Sequence, residues 1–325
     1  MTKAKVTVVL VNWNGVEIIS AALDSLRVQT FKDFDIVVVD NNSQDDSISF
    51  IAKNYPEVKV IRESKNHGFA AAVNIAVRNI QSEYFALLNT DAVADKNWLK
   101  QLTETAAADD SLAVVTSISV LSDGKTIDAL GDDMSRWGVA FPRMRGESVA
   151  SVKEKSGQEI FSGSGGYSLY RTKVWREIGG FDSTFFMYYE DVDYCYRARL
   201  NGYGIGLASG ALIKHGLGVS SGKRGKNFSR RYIIRNAQYV YWKNTPTKII
   251  YRTAIKFCFV NVYMVLAAVK SLAFREVFTA YFEFVGALPR IFRERKHIQD
   301  TSKVTSLELY RIMSRQWPFR GNGSL

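Results

Sequence analysis

Cysteine is nearly missing from this chain, with Cys195 and Cys258 the only two. Two thiols that far apart supply neither a disulfide framework nor a zinc site, which agrees with a reducing compartment. Histidine is almost as scarce, at His67, His215 and His297. The Met-Thr-Lys-Ala-Lys start runs straight into a β-like stretch, without the apolar core and small-residue cleavage site of a secretory signal. A glycine-rich dinucleotide fingerprint is also absent. After the first strand-like run stands Asn12-Trp13-Asn14-Gly15, not Gly-x-Gly-x-x-Gly, which argues against a nicotinamide enzyme. No internal repeat or low-complexity tract occurs. The longest apolar run of the C-terminal part, Phe257 to Val269, is preceded by Arg252 and Lys256 and followed by Lys270. It falls short of the roughly 20 residues a bilayer span requires.

What is present is ordinary globular material. A chain of 325 residues, 46% hydrophobic and 23% charged, can build one large α/β domain with an appendage, or two domains. Its net charge of +11 is unevenly spread. Residues 219–325 hold 20 Lys/Arg against 5 Asp/Glu, whereas residues 1–218 hold 23 against 27. A mildly acidic body thus carries a strongly basic tail, which suits either nucleic acid or anionic lipid.

The hydrophobic pattern supplies the elements. Val6 to Val11 is a β-branched and aliphatic run of the kind buried on both faces of a parallel sheet. Ile18 to Val28 has helical spacing, Ile36 to Val39 is a second strand ending at Asp40, and Asn41 to Asp46 is a loop and helix-start signal. Val58 to Ile61, Phe69 to Ile80 and Tyr84 to Leu88 continue as strand, helix and strand. This rhythm predicts a βαβ sheet with polar groups gathered at the carboxyl ends of its strands, where open parallel sheets bind ligands. Residues 113–160 mix short strands with Gly and charge and are not assigned in detail. Ser162 to Gly166 is a loop in which backbone can approach a ligand closely, and Glu190 to Leu200 reads as a helix opened by acids.

From about residue 228 the chain is helical and aromatic-rich. Phe278, Tyr281, Phe282, Val285, Leu288 and Phe292 recur at helical spacing beside Arg290, Arg293, Arg295 and Lys296. That pattern fits a segment lying on an anionic membrane better than a solvated phosphate groove, so nucleic acid is not expected as a partner. Packing on the catalytic body, or on a second copy in a homo-oligomer, is the competing reading, and a re-entrant or spanning helix around residues 249–269 is a further alternative.

An ordered set of motifs now stands out: Val8 to Gly15 (VVLVNWNG), Gln29-Thr30, Ile36 to Ser43 (IVVVDNNS), Asn66 to Asn74 (NHGFAAAVN) and Leu87 to Asp91 (LLNTD). This set resembles the family 2 glycosyltransferases. Gly179 to Arg197 (GGFDSTFFMYYEDVDYCYR), Gly202-Tyr203 and His215 are similar to its rhamnosyltransferase-like branch. The resemblance covers roughly residues 6–245. It implies an α/β, GT-A-like nucleotide-diphospho-sugar transferase fold: a mixed, mostly parallel sheet flanked by helices, over residues 1–220. A basic, aromatic-rich helical region follows over residues 221–325.

The same resemblance implies roles. Asp40 would read the N–H of a pyrimidine base. Asn12, Asn14, Asn42, Asn66, Gly68, Phe69, Asn74 and Asn89 would surround the nucleotide, although Asn42 could equally cap a helix and Phe69 could be core. Asn89-Thr90-Asp91 stands where the family carries its Asp-x-Asp metal motif, with Asn89 replacing the first acid. Asp91 and His215 would then hold Mg²⁺ or Mn²⁺, offsetting charge on the diphosphate leaving group. Asp191 would take the acceptor proton in a single inverting displacement, with Glu190 beside it for acceptor hydroxyls; acids in a helix's first turn also complement its dipole. Gly163, Ser164, Gly165 and Tyr188 would line the acceptor or donor sugar. Arg230, Arg231 and Arg235 would either contact a diphosphate or belong to the solvated basic face.

The expected activity is transfer of a sugar from a dTDP- or UDP-sugar, with rhamnose the first choice, to a saccharide or lipid-diphosphate-linked acceptor of a bacterial surface polymer. The expected location is cytoplasmic, on the inner face of the membrane. A UDP-hexose or UDP-N-acetylhexosamine transferase of the same fold, or a non-catalytic nucleotide-binding protein of the membrane surface, remain as alternatives.

Overall fold

The computed structural model describes residues 4–152, 160–215, 226–270 and 273–319. Chain order begins β1 (Val6–Asn12), α1 (Ile19–Arg27), β2 (Phe34–Asp40), α2 (Ser47–Asn54), β3 (Lys59–Arg62), α3 (Phe69–Arg78), β4 (Tyr84–Leu87), β5 (Ala92–Ala94) and α4 (Trp98–Ala108). The unassigned middle resolves into β6 (Leu112–Val120), β7 (Ile127–Ala129), β8 (Asp132–Met134) and β9 (Ala140–Pro142). Then follow β10 (Ser168–Arg171), α5 (Thr172–Ile178), α6 (Glu190–Leu200) and β11 (Gly204–His215).

One sheet runs β3-β2-β1-β4-β10-β6-β11-β5, with β7 paired to β6. Strands β3, β2, β1 and β4 are parallel, β10 is antiparallel to both its neighbours, and β11 returns parallel to β6. The aliphatic strands are buried on both faces. Val6, Val8 and Leu10 pack toward α1, while Val9, Val37 and Phe85 pack toward α3 and α5. Parallel register aligns Asn12 with Asp40, so the ends of β1 and β2, with the loop after β4, form one polar rim.

The chain closes with α7 (Lys226–Asn244), α8 (Thr247–Lys270), α9 (Phe274–Asp300) and α10 (Ser306–Ile312). These helices share a core with the body: Tyr239, Val240, Ile249, Ile291 and Leu309 pack with Met134, Phe161, Phe185, Val192 and Tyr196. The sequence-based limit on bilayer spans needs correction. Helix α8 continues through Arg252 and Lys256, and Thr247–Ala267 is long and apolar enough to cross a membrane by length and composition alone. Its inner face, with Ile249, Thr253, Phe257, Val260 and Met264, is buried, while Tyr251, Ile255, Phe259, Val262 and Leu266 are exposed.

Candidate active site

A cleft of about 600 Å³ opens at the carboxyl edge of the sheet. Asn89, Thr90 and Asp91 enter it from the loop after β4, and His215 from the end of β11. Ser164, Gly165 and Gly166 come from the loop before β10, and Glu190 and Asp191 from the start of α6. Phe69 and Tyr188 also line it. Segments far apart in sequence thus meet because the sheet order places β4, β10 and β11 in one half of the sheet.

Asp191 sits in the first turn of α6. One carboxylate oxygen accepts from the Gly165 N–H at 2.7 Å and the other from the Val192 N–H at 2.8 Å. Burial raises the Asp191 carboxyl above its ordinary range, against those stabilising hydrogen bonds. A raised value makes a better proton acceptor of a group that still ionises. Glu190 is only 5% exposed, and its Oε2 has no hydrogen-bond partner among the described residues. Burial, then the charge of Asp191, holds the Glu190 carboxyl well above its usual range.

The approach to Asp191 is strained. Phe186, Tyr188 and Tyr189 all have left-handed backbone, with φ of 64°, 66° and 69°, a region costly for bulky side chains. Helix α7 holds them there. The Asn236 amide donates to the carbonyls of Phe185, Met187 and Tyr188 at 3.0, 2.9 and 2.7 Å. The Arg235 guanidinium donates to Thr184 O and Phe185 O at 2.9 and 2.8 Å and pairs with Glu283 at 3.3 Å. This corrects the expectation for Arg235. It is 8% exposed, lies outside the cleft lining and is spent on backbone carbonyls, so it clamps the loop that presents Asp191 and does not face a diphosphate. Arg231 likewise pairs with Glu283.

Asp91 and His215 come together, with His215 Nε2 at 3.5 Å from Asp91 Oδ1. Hydrogen bonds with Asp128 and Asp91 push the His215 imidazole up to about 9, despite its burial. Among the described residues no cluster of three or more His, Cys, Asp or Glu could cage a metal ion. The pair nonetheless fits a divalent cation. The two atoms, 3.5 Å apart, would need to close only to about 3 Å to be neighbouring ligands of one octahedral ion with bonds of about 2.0–2.1 Å. Mg²⁺-type ions also use one or two protein ligands and complete their shell with substrate phosphates and water.

The neighbouring rim carries the residues expected around a nucleoside. Asp40 is buried and accepts from the Asn12 amide at 3.3 Å and the Ser43 N–H at 3.2 Å. Ser43 Oγ accepts from the Asn14 N–H at 2.9 Å, and the left-handed Asn14 and Asn42 form the turn with Gln44. Asn66 Oδ1 accepts from the Gly68 N–H and from Asn41. Gly68 needs to be glycine, since it has a φ of 83° and a Cβ there would lie 2.5 Å from Phe186.

Two further expectations change. The Asn74 amide donates to Phe181 O at 2.7 Å and its oxygen accepts from the Phe181 N–H, so it pins the chain before α6 and is not a wall of the nucleoside site. Gly163 is packed against Val114 and Ser168, where a side chain would collide, and does not line the cleft.

Sequence reasoning missed Asp128, Asp132 and Arg145, all in the unassigned middle. Asp132 and Arg145 line the cleft, and Asp128 stands behind His215 at 3.3 Å from its Nδ1. Burial, then the charges of Asp191, Asp133 and Asp128, raise the Asp132 carboxyl well above its usual range. No periodicity marks these strands, because each has only three residues.

A cleft of this kind at the edge of a mixed sheet defines the class: the architecture is that of the GT-A glycosyltransferases. The mannosyltransferase PcManGT from Pyrobaculum calidifontis, in complex with GDP-Man and Mn²⁺, superposes with a TM-score of 0.56 at 14% identity, covering 93% of this chain and 84% of that one. The sequence profile of glycosyl transferase family 2 matches residues 7–179, and the chain belongs to that family. Among curated relatives, an uncharacterized glycosyltransferase of Haemophilus influenzae is 25% identical over 115 residues, 34% of this chain and 36% of the relative. The low-salt glycan biosynthesis hexosyltransferase Agl10 of Haloferax volcanii is 23% identical over 204 residues, 62% of this chain and 63% of that protein. The chain therefore spans less than two thirds of the length of either relative.

Proposed function

We propose that this protein is an inverting glycosyltransferase, which moves a sugar from a nucleotide-diphosphate donor to an acceptor presented beside Asp191. The observation that carries the reading is the placement of Asp191 and the Asp91–His215 pair in one cleft. Asp191 takes the acceptor hydroxyl's proton as that oxygen attacks the anomeric carbon from the face opposite the diphosphate. Asp91 and His215 would hold a divalent cation, Mg²⁺ or Mn²⁺, which when bound supplies positive charge against the departing diphosphate. Asp40 receives the pyrimidine of a dTDP- or UDP-sugar, with dTDP-rhamnose the first donor to try.

The acceptor side of the cleft is apolar. Val139, Phe141 and Pro142 of the β8–β9 hairpin, Ile233 and Ala237 of α7, Met264 of α8 and Phe319 lead away from Asp191. Such a wall suits a saccharide carried on a lipid diphosphate better than a free sugar. The exposed face of α8 and the aromatic stripe of α9, Phe274, Phe278 and Phe282, support association with an anionic membrane surface. Residues 1–220 would then be the catalytic domain and 221–325 its membrane-facing helical region, on the cytoplasmic side. Screening nucleotide-sugars for Mn²⁺-dependent transfer or hydrolysis, with wild type and Asp191→Asn side by side, tests the reading. Wild-type activity that survives the substitution undiminished would remove Asp191 from the role, and stabilisation by no nucleotide-sugar would remove the donor site.

A further inference from the structure

Asp128 belongs to no motif and does not line the cleft, yet its surroundings are specific. It lies on the edge strand β7, whose two partners in register are on β6. One carboxylate oxygen is held by the Arg145 guanidinium at 2.9 Å. The other faces His215 Nδ1 at 3.3 Å and the Ser119 hydroxyl at 3.5 Å. His215 is thus approached on both ring nitrogens, by Asp128 at Nδ1 and by Asp91 at Nε2. Imidazole can present a lone pair at only one nitrogen at a time, and a carboxylate at Nδ1 fixes the proton there. Without a cation both nitrogens face carboxylates; when a cation takes the place of the Nε2 proton beside Asp91, the Asp128 carboxylate keeps the remaining proton on Nδ1 and leaves Nε2 as the ligand atom.

We propose that Asp128, locked by Arg145, is the positioning residue that sets the tautomer and orientation of His215 for cation binding. The proposal rests on the reading of Asp91 and His215 as cation ligands. It also explains why a site with one carboxylate and one imidazole works without the first acid of the Asp-x-Asp pattern: a carboxylate behind the ring raises its basicity as a ligand. Asp128 touches neither substrate nor ion and acts through the ring alone.

The test uses the full chain and Mn²⁺ itself, with free ion counted by electron paramagnetic resonance in the presence of UDP. Asp128→Ala is expected to weaken Mn²⁺ binding about 10–100-fold, the usual cost of losing such an outer partner. Asp128→Asn, which keeps an acceptor oxygen, should fall between Ala and wild type. In a His215→Ala background, Asp128→Ala should cost nothing more, since its only route to the ion is gone. Wild-type affinity in a folded Asp128→Ala protein, or a full additional loss in the His215→Ala background, overturns the proposal. A second readout needs no metal. Nitrogen-15 spectra of the metal-free protein, taken where the ring is neutral, should show its proton on Nδ1 and should change in Asp128→Asn. A proton on Nε2 overturns the assignment of Asp128 whatever the ion does. Failure of wild type to bind Mn²⁺, with the Nδ1 proton in place, would instead count against the cation reading.

Discussion

Two clusters of charge flank α6 on different sides, and they are composed differently. At its first turn, Asp91, Asp132, Glu190 and Asp191 in the cleft, with Asp128 behind His215, meet two basic groups, His215 and Arg145. On the side facing the C-terminal helices, Lys243 lies 2.7 Å from Asp193 and 2.8 Å from Asp182, Arg197 pairs with Asp193 at 2.9 Å, and Arg290 pairs with both Asp182 and Glu294 at 3.0 Å. The second cluster is balanced, three acids to three bases. Its electrostatics follow: Lys243 and Arg290 hold Asp182 far below the usual carboxylate range despite its burial, whereas Asp132, Glu190 and Asp191 are raised. Balanced charge closes a joint. Carboxylates in excess leave a site that gains when positive charge or a proton arrives.

The comparison makes opposite predictions for substitutions in the two clusters. In the cleft, Asp191→Asn should lower turnover by roughly 10²–10⁴-fold, the range for a general base, and leave donor affinity and thermal stability near wild type. Removing one raised, partly frustrated carboxylate relieves repulsion on Glu190, so a strong loss of stability would contradict the description of this cluster. Steady-state rates beside donor titration and calorimetry give the answer.

At the joint the order reverses. Lys243→Met should destabilise the fold by about 3–5 kcal/mol, because Asp182 and Asp193 stay buried with their shared partner removed. Urea denaturation would show it. A change below about 1 kcal/mol would mean that Arg197 and Arg290 suffice and that the joint is not a single network.

Acid should find the joint first. A carboxyl depressed in the folded state contributes stability that is complete above its unfolded value of about 3.9 and is lost as pH falls toward the folded one. Denaturation midpoints should therefore decline below about pH 4, and Asp182→Asn should flatten that decline. An unchanged acid limb in the variant would remove Asp182 from the account.

These contrasts also explain what was legible in the sequence. The strands β1, β2 and β4 and helices α1 and α3 announce themselves, because burial on both faces demands unbroken apolar runs and an amphipathic helix demands its period. The ends of those strands are legible for the same reason, which brings Asp40, Asp91 and Asn89 into view. Asp128, Asp132 and Arg145 were not legible, since three-residue strands carry no period and their pairing depends on β6, β8 and β9 meeting in space. Arg235 and Asn74 were visible as residues and misread in role. A polar side chain that satisfies backbone carbonyls looks, in sequence, the same as one that waits for a ligand. Only hydrogen-bond partners separate the two, as they do for Arg235 against Thr184 and Phe185.

A third region sharpens the comparison by having neither kind of cluster. Phe278 and Phe282 on α9 are 66% and 72% exposed, so the folded body gains little from them. Replacing both with Ser should change stability by no more than about 0.5 kcal/mol, as for other surface positions. If this face meets lipid, each ring contributes on the order of 1.5–3 kcal/mol when buried in it. The double variant should then lose at least roughly tenfold in partitioning onto anionic vesicles, measured by sedimentation. Because α9 also carries the exposed Arg275 and, further along, Arg293 and Lys296, binding should also weaken with salt. Equal partitioning of wild type and variant would assign the stripe to a protein contact, and a two-Ser variant that unfolds would show that its apparent exposure hides a structural role.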